Sequence, residues 1–239
     1  MLQQFLPSVV EYTPEDIADV VVADNASTDR SLEILKEQFP SVKTLVLDKN
    51  YGFAGGYNRA IAQLDYEYIL LLNSDVEATE SYLEPLVEAL DKDSKVVSVQ
   101  PKLLAQKDKS KFEYAGAAGG FLDKYGYPFC RGRIFENVET DNHQYDEESD
   151  VLWTTGAAML VRRKEYLDNG GLDDRFFAHQ EEIDLCWRLS SRGYKLRCIP
   201  SSVLYHVGGG TLDASNPRKT FLNFRNNLCM IYKLSLIHI

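Results

Sequence analysis

The sequence of 239 residues has few cysteines, no long apolar run and fewer basic than acidic residues. Its four cysteines lie far apart without a C-x-x-C pair, which argues against a zinc knuckle or a disulfide framework and favours reduced thiols. No stretch approaches the ~18 consecutive apolar residues of a membrane-spanning helix, and residues 1–10 lack the basic start of a signal peptide. These absences predict a cytoplasmic enzyme.

Basic residues are scarce, because 26 lysines and arginines accompany 36 aspartates and glutamates, for a formal net charge of −10. So acidic a chain has no general attraction for nucleic acid, and an anionic ligand would have to be held by a local device. Hydrophobic residues make up 44% and charged residues 26%, which is a globular composition. We therefore expect no nucleic-acid partner, and exclude a disordered tail, a fibre and a coiled coil.

The first half of the chain alternates between strand and helix patterns. Strands are predicted at 20–23, 42–47, 68–72 and 96–100, with helices at 27–39, about 57–65 and 81–90 between them. This alternation predicts an α/β domain with a mainly parallel, doubly wound sheet. Ligands of such sheets bind beyond the carboxyl ends of the strands.

The second half differs in composition. Residues 112–135 are rich in glycine and aromatics and residues 139–150 are acidic, which predicts loops and a β excursion. A strand at 151–161, a helix at 181–192 and a last strand at 202–206 are expected to follow. The sequence contains no repeat and no low-complexity linker, so one continuous domain is expected.

Both ends of the chain suggest a fragment. Residues 2–10 have the spacing of an amphipathic helix, whereas an α/β domain usually begins on a strand. The last residues, 235–239, are apolar and carry no cap or turn. We expect a missing first strand and a C-terminal helix that is cut short.

Three polar segments follow predicted strands or precede helices at one edge of the sheet. Asp24 and Asn25 can accept hydrogen bonds from a base or ribose, although a plain helix cap is the alternative. The glycine-rich segment 52–56 permits close backbone approach to a nucleotide, but it matches neither the dinucleotide nor the P-loop motif, and a turn is its alternative. Asp75, after the apolar strand 68–72, can hold a divalent cation or simply belong to a turn.

Two further segments carry titratable groups. Glu181 and Glu182 are adjacent carboxylates whose repulsion can raise one pKa towards that of a general base, and an acidic first helical turn is the alternative. His206 precedes the glycines 208–210 and can be a metal ligand, although a lone histidine is more often structural.

In this order the segments resemble the inverting glycosyltransferases of family 2, which have the GT-A fold, and especially the rhamnosyltransferase-like enzymes of bacterial surface polysaccharide. The matching segments are 22–29, 50–56, 71–75, 155–157, 170–173 with 176–177, 181–188 and 205–209. They extend from about Asp19 to Gly210, and their combination is highly specific.

The resemblance implies a role for each matching residue. The nucleotide-sugar would contact Asp24, Asn25, Gly55, Gly56, Asn58, Asn73, Ser74 and Asp75. Asn73-Ser74-Asp75 replaces the D-x-D motif, which leaves Asp75, assisted by His206, to hold Mg²⁺ or Mn²⁺. Glu182, with Glu181 as second choice, would be the catalytic base. The acceptor side would include Trp153, Thr155, Gly156 and Asp184.

The resemblance also implies the architecture and the reaction. Residues 1–239 would form one GT-A catalytic domain, with a nucleotide-sugar half at 1–100, a mixed acceptor and catalytic-base half at 101–215, and a C-terminal helix at 216–239. A sugar would pass, with inversion, from a dTDP-, UDP- or GDP-linked donor to a glycan or lipid-linked acceptor. The Pro-x-Tyr-Asn or Asn-Tyr-Asn motif of the family's first strand is absent, which weakens the expected donor site.

Two other functions stay open. A sugar-1-phosphate nucleotidyltransferase would need a basic glycine-rich N-terminal loop, which the sequence lacks. A carbohydrate-binding or inactive fragment is suggested by the aromatic segment 112–135, and metal-dependent nucleotide binding would distinguish it from an enzyme. The basic, apolar segment from 218 onward either associates peripherally with the inner face of the cytoplasmic membrane or packs on the domain's own core.

Overall fold

The computed structural model describes residues 1–208 and 217–235, which form seven α-helices, one 3-10 turn at Asp174–Phe176 and thirteen strands. The helices are α1 (Leu2–Tyr12), α2 (Ser31–Gln38), α3 (Gly52–Gln63), α4 (Glu84–Lys92), α5 (Arg163–Asp168), α6 (Glu181–Ser190) and α7 (Pro217–Ser235). The strands are β1 (Val21–Asp24), β2 (Lys43–Val46), β3 (Tyr68–Leu72), β4 (Val76–Glu77), β5 (Val96–Ala105), β6 (Asp108–Phe112), β7 (Gly120–Leu122), β8 (Pro128–Cys130), β9 (Arg133–Ile134), β10 (Asn137–Val138), β11 (Ser149–Val151), β12 (Ala158–Arg162) and β13 (Lys195–His206).

The central sheet has the strand order β11-β13-β5-β12-β3, with β4 beside β13 and β6 beside β5. Only β13 and β5 pair in parallel, because β12 returns from the excursion in the opposite direction and runs antiparallel to both β3 and β5. The sheet is therefore mixed rather than mainly parallel. β1 and β2 form a separate parallel pair, and β7–β10 form a small antiparallel sheet within the predicted excursion.

Helices cover both faces of the sheet, as predicted for a doubly wound fold. Alternate residues of β12 separate the two layers, since Met159 and Val161 join the cluster that contains α3 and α6, whereas Leu160 joins that of α4. β5 is buried along almost its whole length. In the described ranges, no helix combines the length and the apolar character that crossing a bilayer requires.

Several predicted boundaries moved for local reasons. Ala26 has a left-handed backbone and the Asp24 carboxylate accepts the Ser27 N–H, so that α2 starts only at Ser31. The predicted strand 151–161 is interrupted at 152–157, whereas β13 begins at Lys195 instead of 202. The amphipathic N-terminal helix is confirmed as α1, and Phe5, Leu6 and Val9 form its buried side.

The prediction of a turn at the glycine-rich segment is wrong, because α3 begins at Gly52 and includes it. Gly52 alone of its three glycines has a positive φ, at 72°. At Gly56 an added β-carbon would lie 2.9 Å from Nδ2 of Asn25, and at Gly55 it would lie 3.1 Å from Cβ of Tyr51. These two glycines therefore permit close packing inside a helix.

Candidate active site

Asp24 is the last residue of β1, and Asn25, which follows it, contacts the start of α3. Asn25 braces the turn before that helix, since its Nδ2 donates to the Gly52 carbonyl at 2.9 Å and its Oδ1 accepts from the Tyr51 N–H at 2.9 Å. Asp24 is buried and uses one carboxylate oxygen to cap the Ser27 N–H at 3.1 Å. The structure thus brings Asp24, Asn25, Gly55 and Gly56 to one corner of the molecule.

The side chain of Asn58, further along α3, is hydrogen-bonded to other residues of the protein. Its Nδ2 donates to the Leu172 carbonyl at 2.7 Å, and its Oδ1 accepts from the Leu172 N–H at 3.0 Å and from the Tyr166 hydroxyl at 2.6 Å. These bonds occupy the side-chain amide, so the contact that Asn58 makes in this structure is with the loop before the 3-10 turn.

Asp75 lies just beyond β3 and belongs to a line of three buried side chains that we call the paired cluster: Asp75, His206 and Glu113. Nε2 of His206 is 3.1 Å from Oδ1 of Asp75, and Nδ1 is 3.4 Å from Oε1 of Glu113. His206 ends β13, whose last two residues pair with β4. Sequence reasoning missed Glu113, because it follows an edge strand in the aromatic segment and no local motif marks it.

Burial and charge oppose each other in the paired cluster. Burial disfavours the Asp75 carboxylate, but the hydrogen bond and positive charge of His206 outweigh it and lower the pKa of Asp75. Burial likewise disfavours an imidazolium, yet Asp75 and Glu113 raise the pKa of His206 to about 9. A protonated histidine between two carboxylates is therefore the stable arrangement at neutral pH.

A divalent cation fits this end of the site by the chemistry of its donors. His206 is hydrogen-bonded to one carboxylate oxygen of Asp75, and the other oxygen is left to coordinate a cation. Carboxylate oxygens are ligands that Mg²⁺ and Mn²⁺ prefer. Asp75 could hold such an ion directly, whereas His206 could join it as a ligand only by giving up its proton as the metal binds. Asn73 and exposed Ser74 precede Asp75, and the Asn73 N–H donates to the Ala157 carbonyl at 3.0 Å.

Another group with metal-like spacing lies elsewhere, at Asp141, His143 and Asp146. The Lys102 ammonium is 2.9 Å from the Asp141 carboxylate and 2.5 Å from that of Asp146, and His143 Nδ1 is 2.7 Å from Asp146. Lys102 is buried. These ion pairs already compensate the two carboxylates, so we interpret this group as a salt-bridge cluster.

Glu181 and Glu182 open α6 and form what we call the open cluster. Each has a buried carboxylate oxygen, Oε2, with no hydrogen-bond partner in the described part of the chain. Burial, and after it the negative charge of Glu182, raise the pKa of Glu181 well above its usual value. Burial also raises the pKa of Glu182, although the backbone N–H groups of Glu182, Gly156 and Ile183 favour its ionised form. A carboxylate in these surroundings can accept a proton near neutral pH.

The segment 155–157 lies between the two clusters. Ala157 accepts the backbone hydrogen bond from Asn73, two residues before Asp75. A β-carbon added to Gly156 would lie 3.6 Å from Cβ of Glu182. Thr155 is fixed from both sides, because its N–H donates to Gln100 Oε1 at 3.0 Å and its hydroxyl donates to the Ala115 carbonyl at 3.0 Å.

The remaining predicted acceptor residues are held by the protein. Trp153 is buried, and its Nε1 donates to the Phe121 carbonyl at 3.0 Å. Asp184 is fully buried on α6, where Arg188 Nε lies 2.8 Å and Lys233 Nζ 2.9 Å from its carboxylate. Asp184 thus links α6 to α7. Sequence reasoning missed Lys233, which is 49 residues away.

The fold matches solved glycosyltransferases. The crystal structure of GalNAc-T7 with UDP, GalNAc and Mn²⁺ has a TM-score of 0.70 at 16% identity, covering 97% of this chain and 45% of that one. A mannosyltransferase from Pyrobaculum calidifontis in complex with GDP-Man and Mn²⁺ has a TM-score of 0.59 at 16% identity, covering 86% and 52%. The chain therefore has the GT-A fold and spans about half the length of these two structures.

Curated relatives are more similar in sequence. An N-acetylglucosaminyl-diphospho-decaprenol L-rhamnosyltransferase of Mycobacterium tuberculosis is 28% identical over 227 residues, covering 88% of this chain and 73% of the relative. The rhamnosyltransferase WbbL of Escherichia coli is 28% identical over 163 residues, covering 65% of the chain and 61% of the relative. The family model described as glycosyl transferase family 2 matches residues 1–167. With that match over more than half of its length, the chain belongs to glycosyltransferase family 2.

Proposed function

We propose that this chain is an inverting, metal-dependent glycosyltransferase of bacterial surface polysaccharide synthesis. One observation carries the proposal: segment 155–157 contacts both clusters. Ala157 is hydrogen-bonded to Asn73, near the charge-compensated Asp75, and Gly156 lies beside Glu182, which like Glu181 has a raised pKa. Sugar transfer from a nucleoside diphosphate needs these two chemistries side by side: one end holds a dianionic leaving group, and the other removes a proton from the acceptor.

At the donor end, we assign base and ribose contacts to Asp24 and Asn25, with the backbone of Gly55 and Gly56 beside them. Asn73 and Ser74 lie next to Asp75, where the diphosphate would be bound. When present, Mg²⁺ or Mn²⁺ on Asp75, with His206 as a second ligand once it has released its proton, would compensate the negative charge that develops on the leaving diphosphate. Asn58 would act at a distance, by holding the loop at Leu172 against α3.

At the acceptor end, we assign the proton transfer to Glu182, with Glu181 as the second candidate. As the acceptor oxygen attacks the anomeric carbon, its proton passes to the carboxylate, the bond to the diphosphate breaks and the anomeric configuration inverts. Burial, and after it the negative charge of Glu182, would keep the pKa of Glu181 raised. Gly156 leaves room beside Glu182, while Trp153, Thr155 and Asp184 hold the surrounding backbone.

The donor and acceptor classes are proposed from the relatives and from the surface near α6. The mycobacterial relative is named for a diphospho-decaprenol acceptor and L-rhamnose. A cavity of about 620 Å³ lies between the turn 123–126, α7 and the second half of α6, about 8–13 Å along the helix from Glu182, and is lined in part by Tyr125 and Trp187. Aromatic rings beside polar groups suit a sugar ring, so we propose a glycan or lipid-linked glycan acceptor and a dTDP-, UDP- or GDP-linked donor.

The test of this function is a screen for sugar transfer. Nucleotide sugars with dTDP, UDP and GDP are incubated with Mn²⁺ or Mg²⁺ and glycan acceptors, and nucleoside diphosphate release is followed. We expect release with one nucleotide, its loss on chelation, and an inverted anomeric signal in the product NMR spectrum. Pyrophosphate-forming exchange would instead indicate a nucleotidyltransferase. Glycan binding without metal-dependent nucleotide binding would indicate a carbohydrate-binding module.

We also propose that the outer side of α7 rests on the inner face of the cytoplasmic membrane. Leu222, Met230 and Leu234 bury one side of this helix. The opposite side exposes four apolar side chains at spacings of three, four and four residues: Phe221, Phe224, Leu228 and Tyr232, which are 61%, 61%, 66% and 72% exposed. The helix contains four basic residues and no acidic one, although the whole chain carries a net charge of −10. Because Lys233 and Arg225 are bound within the protein, the four exposed apolar side chains carry this proposal rather than the charges.

Vesicle sedimentation tests the membrane proposal. We expect binding to vesicles of phosphatidylglycerol and phosphatidylcholine, and loss of binding when Phe224 and Leu228 are both changed to Ser. The control is Ile134→Ser, which removes an exposed apolar side chain from β9. Unchanged binding in the double variant would overturn the proposal. So would a concentration-dependent dimer that the double variant abolishes, because the face would then belong to a second copy.

A further inference from the structure

The segment that leads into α6 has an unfavourable backbone. Phe177, His179 and Gln180 have φ angles of 67°, 70° and 75°, in the left-handed region that residues with a β-carbon avoid. Three such residues within four positions do not hold this path by themselves. A contact from elsewhere in the fold must therefore stabilise the segment.

Asn226, on α7, makes that contact. Its Nδ2 lies within hydrogen-bond distance of three carbonyl oxygens of the segment, those of Phe176, Ala178 and His179, at 3.0, 2.8 and 2.7 Å. The two hydrogens of this amide are shared among the three oxygens. Asn226 is fully buried, so no water replaces these bonds. One side-chain amide, 47 residues away from His179 in sequence, thus gathers the carbonyls of the left-handed path.

The orientation of this amide is fixed by its neighbour. Arg225 Nε donates to Oδ1 of Asn226 at 2.8 Å, and Arg225 Nη2 donates to the Phe176 carbonyl at 2.9 Å. A flipped amide would place its oxygen against three carbonyl oxygens and its nitrogen against a guanidinium. The hydrogen-bond chemistry therefore permits only the orientation in which the amide donates to the segment.

The supported segment presents polar atoms that the protein leaves unused. His179 Nε2, Gln180 Oε1, Glu181 Oε2 and Glu182 Oε2 are all buried, and within residues 1–208 and 217–235 none has a hydrogen-bond partner. Buried polar atoms without partners are costly and are uncommon in folded proteins. Four of them in succession, at the end of a strained segment, are typical of a site arranged for a ligand.

We propose that Asn226 is a positioning residue, which holds residues 176–180 in their left-handed path and thereby fixes the carboxylates of Glu181 and Glu182 towards the acceptor. The consequence for turnover rests on the proposed function, whereas the effect on the segment does not. Asn226 touches no reacting atom in this assignment. Its effect passes through the backbone into the first turn of α6.

The next residue provides a matched control. Asn227 is also buried on α7, but its Nδ2 donates to the Gly126 carbonyl in the β7–β8 turn, at 2.8 Å. Asn226→Ala and Asn227→Ala remove the same group from adjacent positions of one helix. Any difference between them reports the contact with residues 176–180.

Two measurements test the proposal. Hydrogen exchange followed by mass spectrometry should show at least tenfold faster exchange over residues 177–185 in Asn226→Ala, but not in Asn227→Ala. In the transfer assay, Asn226→Ala should lower kcat at least tenfold, while the Kd of the nucleoside diphosphate with Mn²⁺ stays within twofold of wild type. With saturating acceptor, Asn227→Ala should leave both constants within twofold, because the turn that it holds borders only the proposed acceptor cavity.

Similar exchange and similar kcat in the two alanine variants would overturn the proposal, as would equal losses of kcat and nucleotide affinity in Asn226→Ala. If that variant does not fold, Arg225→Gln replaces it, because it leaves Asn226 in place and removes the group that orients its amide, together with the Nη2 bond to the Phe176 carbonyl. It should change exchange and kcat in the same direction by a smaller factor, and no change in either would also overturn the proposal. If the wild type transfers no sugar, the proposed function fails, and hydrogen exchange alone decides the placement of the segment.

Discussion

The paired cluster and the open cluster, on either side of segment 155–157, contain buried carboxylates in opposite surroundings. In the paired cluster His206 lies between Asp75 and Glu113, and its charge lowers the pKa of Asp75. In the open cluster Glu181 and Glu182 are adjacent at the start of α6, and burial raises the pKa of both. The same functional group is thus suited to two tasks. The ionised Asp75 is suited to binding a cation, and Glu181 and Glu182 are suited to accepting a proton.

The largest expected effect follows from removing the proton acceptor of the open cluster. Glu182→Gln keeps the shape of the side chain but cannot accept a proton, so turnover should fall by a factor of about 10²–10⁴. Glu181→Gln should reduce turnover less. Steady-state kinetics with saturating donor provides the measurement, and wild-type turnover in Glu182→Gln would contradict the assignment.

The next effect concerns stability, at the ion pairs behind the open cluster. Asp184→Asn leaves Arg188 without its buried counter-charge and leaves Lys233 with Asp173 alone, and it should lower the free energy of unfolding by about 3–5 kcal/mol. Asp168→Asn is the matched control, because its pair with Lys164 is exposed to solvent and should contribute far less. Urea denaturation measures both, and equal losses would show that burial does not distinguish the two pairs.

Removing the Asp75 carboxylate from the paired cluster should mainly weaken ligand binding. In Asp75→Asn the nucleoside diphosphate should bind about 10–100-fold more weakly in the presence of Mn²⁺, because the cation loses its oxygen ligand. The shift of the melting temperature that Mn²⁺ and nucleotide together produce in the wild type should shrink accordingly. A full shift in the variant would remove Asp75 from the metal site.

The smallest effect is the pH dependence of stability. A carboxyl whose pKa is higher in the folded than in the unfolded chain loses stability as the pH rises above about 4.5, the ordinary value. For each such group the slope is at most about 1.4 kcal/mol per pH unit. Glu181→Gln should therefore flatten the decline in unfolding free energy between pH 5 and 7. An unchanged slope would mean that burial does not raise the pKa of Glu181.

The sequence predicts local patterns well and long-range contacts poorly. Strand 68–72 and the start of α6 at Glu181 are found where predicted, because apolar runs and acidic helix starts are local signals. The helical start at Gly52 was missed, because glycine locally indicates a turn. A glycine is needed at position 56 because Asn25, 31 residues earlier in the sequence, packs where a β-carbon would lie. The antiparallel direction of β12 depends on a long excursion, which no local pattern reports.

The site shows the same division. The order of the motifs predicts which carboxylates form the site, but it does not predict which charged groups neutralise each of them. Glu113 is connected to the site only through His206, 93 residues later, and Lys233 reaches Asp184 only once α7 has packed. Such pairings decide which carboxylate has a lowered pKa and which a raised one, and they become visible only in three dimensions.

The central claim is that the two clusters divide the chemistry between nucleotide binding and proton removal. Calorimetric titration of the wild type, Glu182→Gln and Asp75→Asn with UDP, dTDP and GDP, with and without Mn²⁺, tests it most directly. We expect metal-dependent binding of one nucleotide, retained within twofold in Glu182→Gln and weakened at least tenfold in Asp75→Asn. Loss of binding in Glu182→Gln together with full binding in Asp75→Asn would contradict the claim.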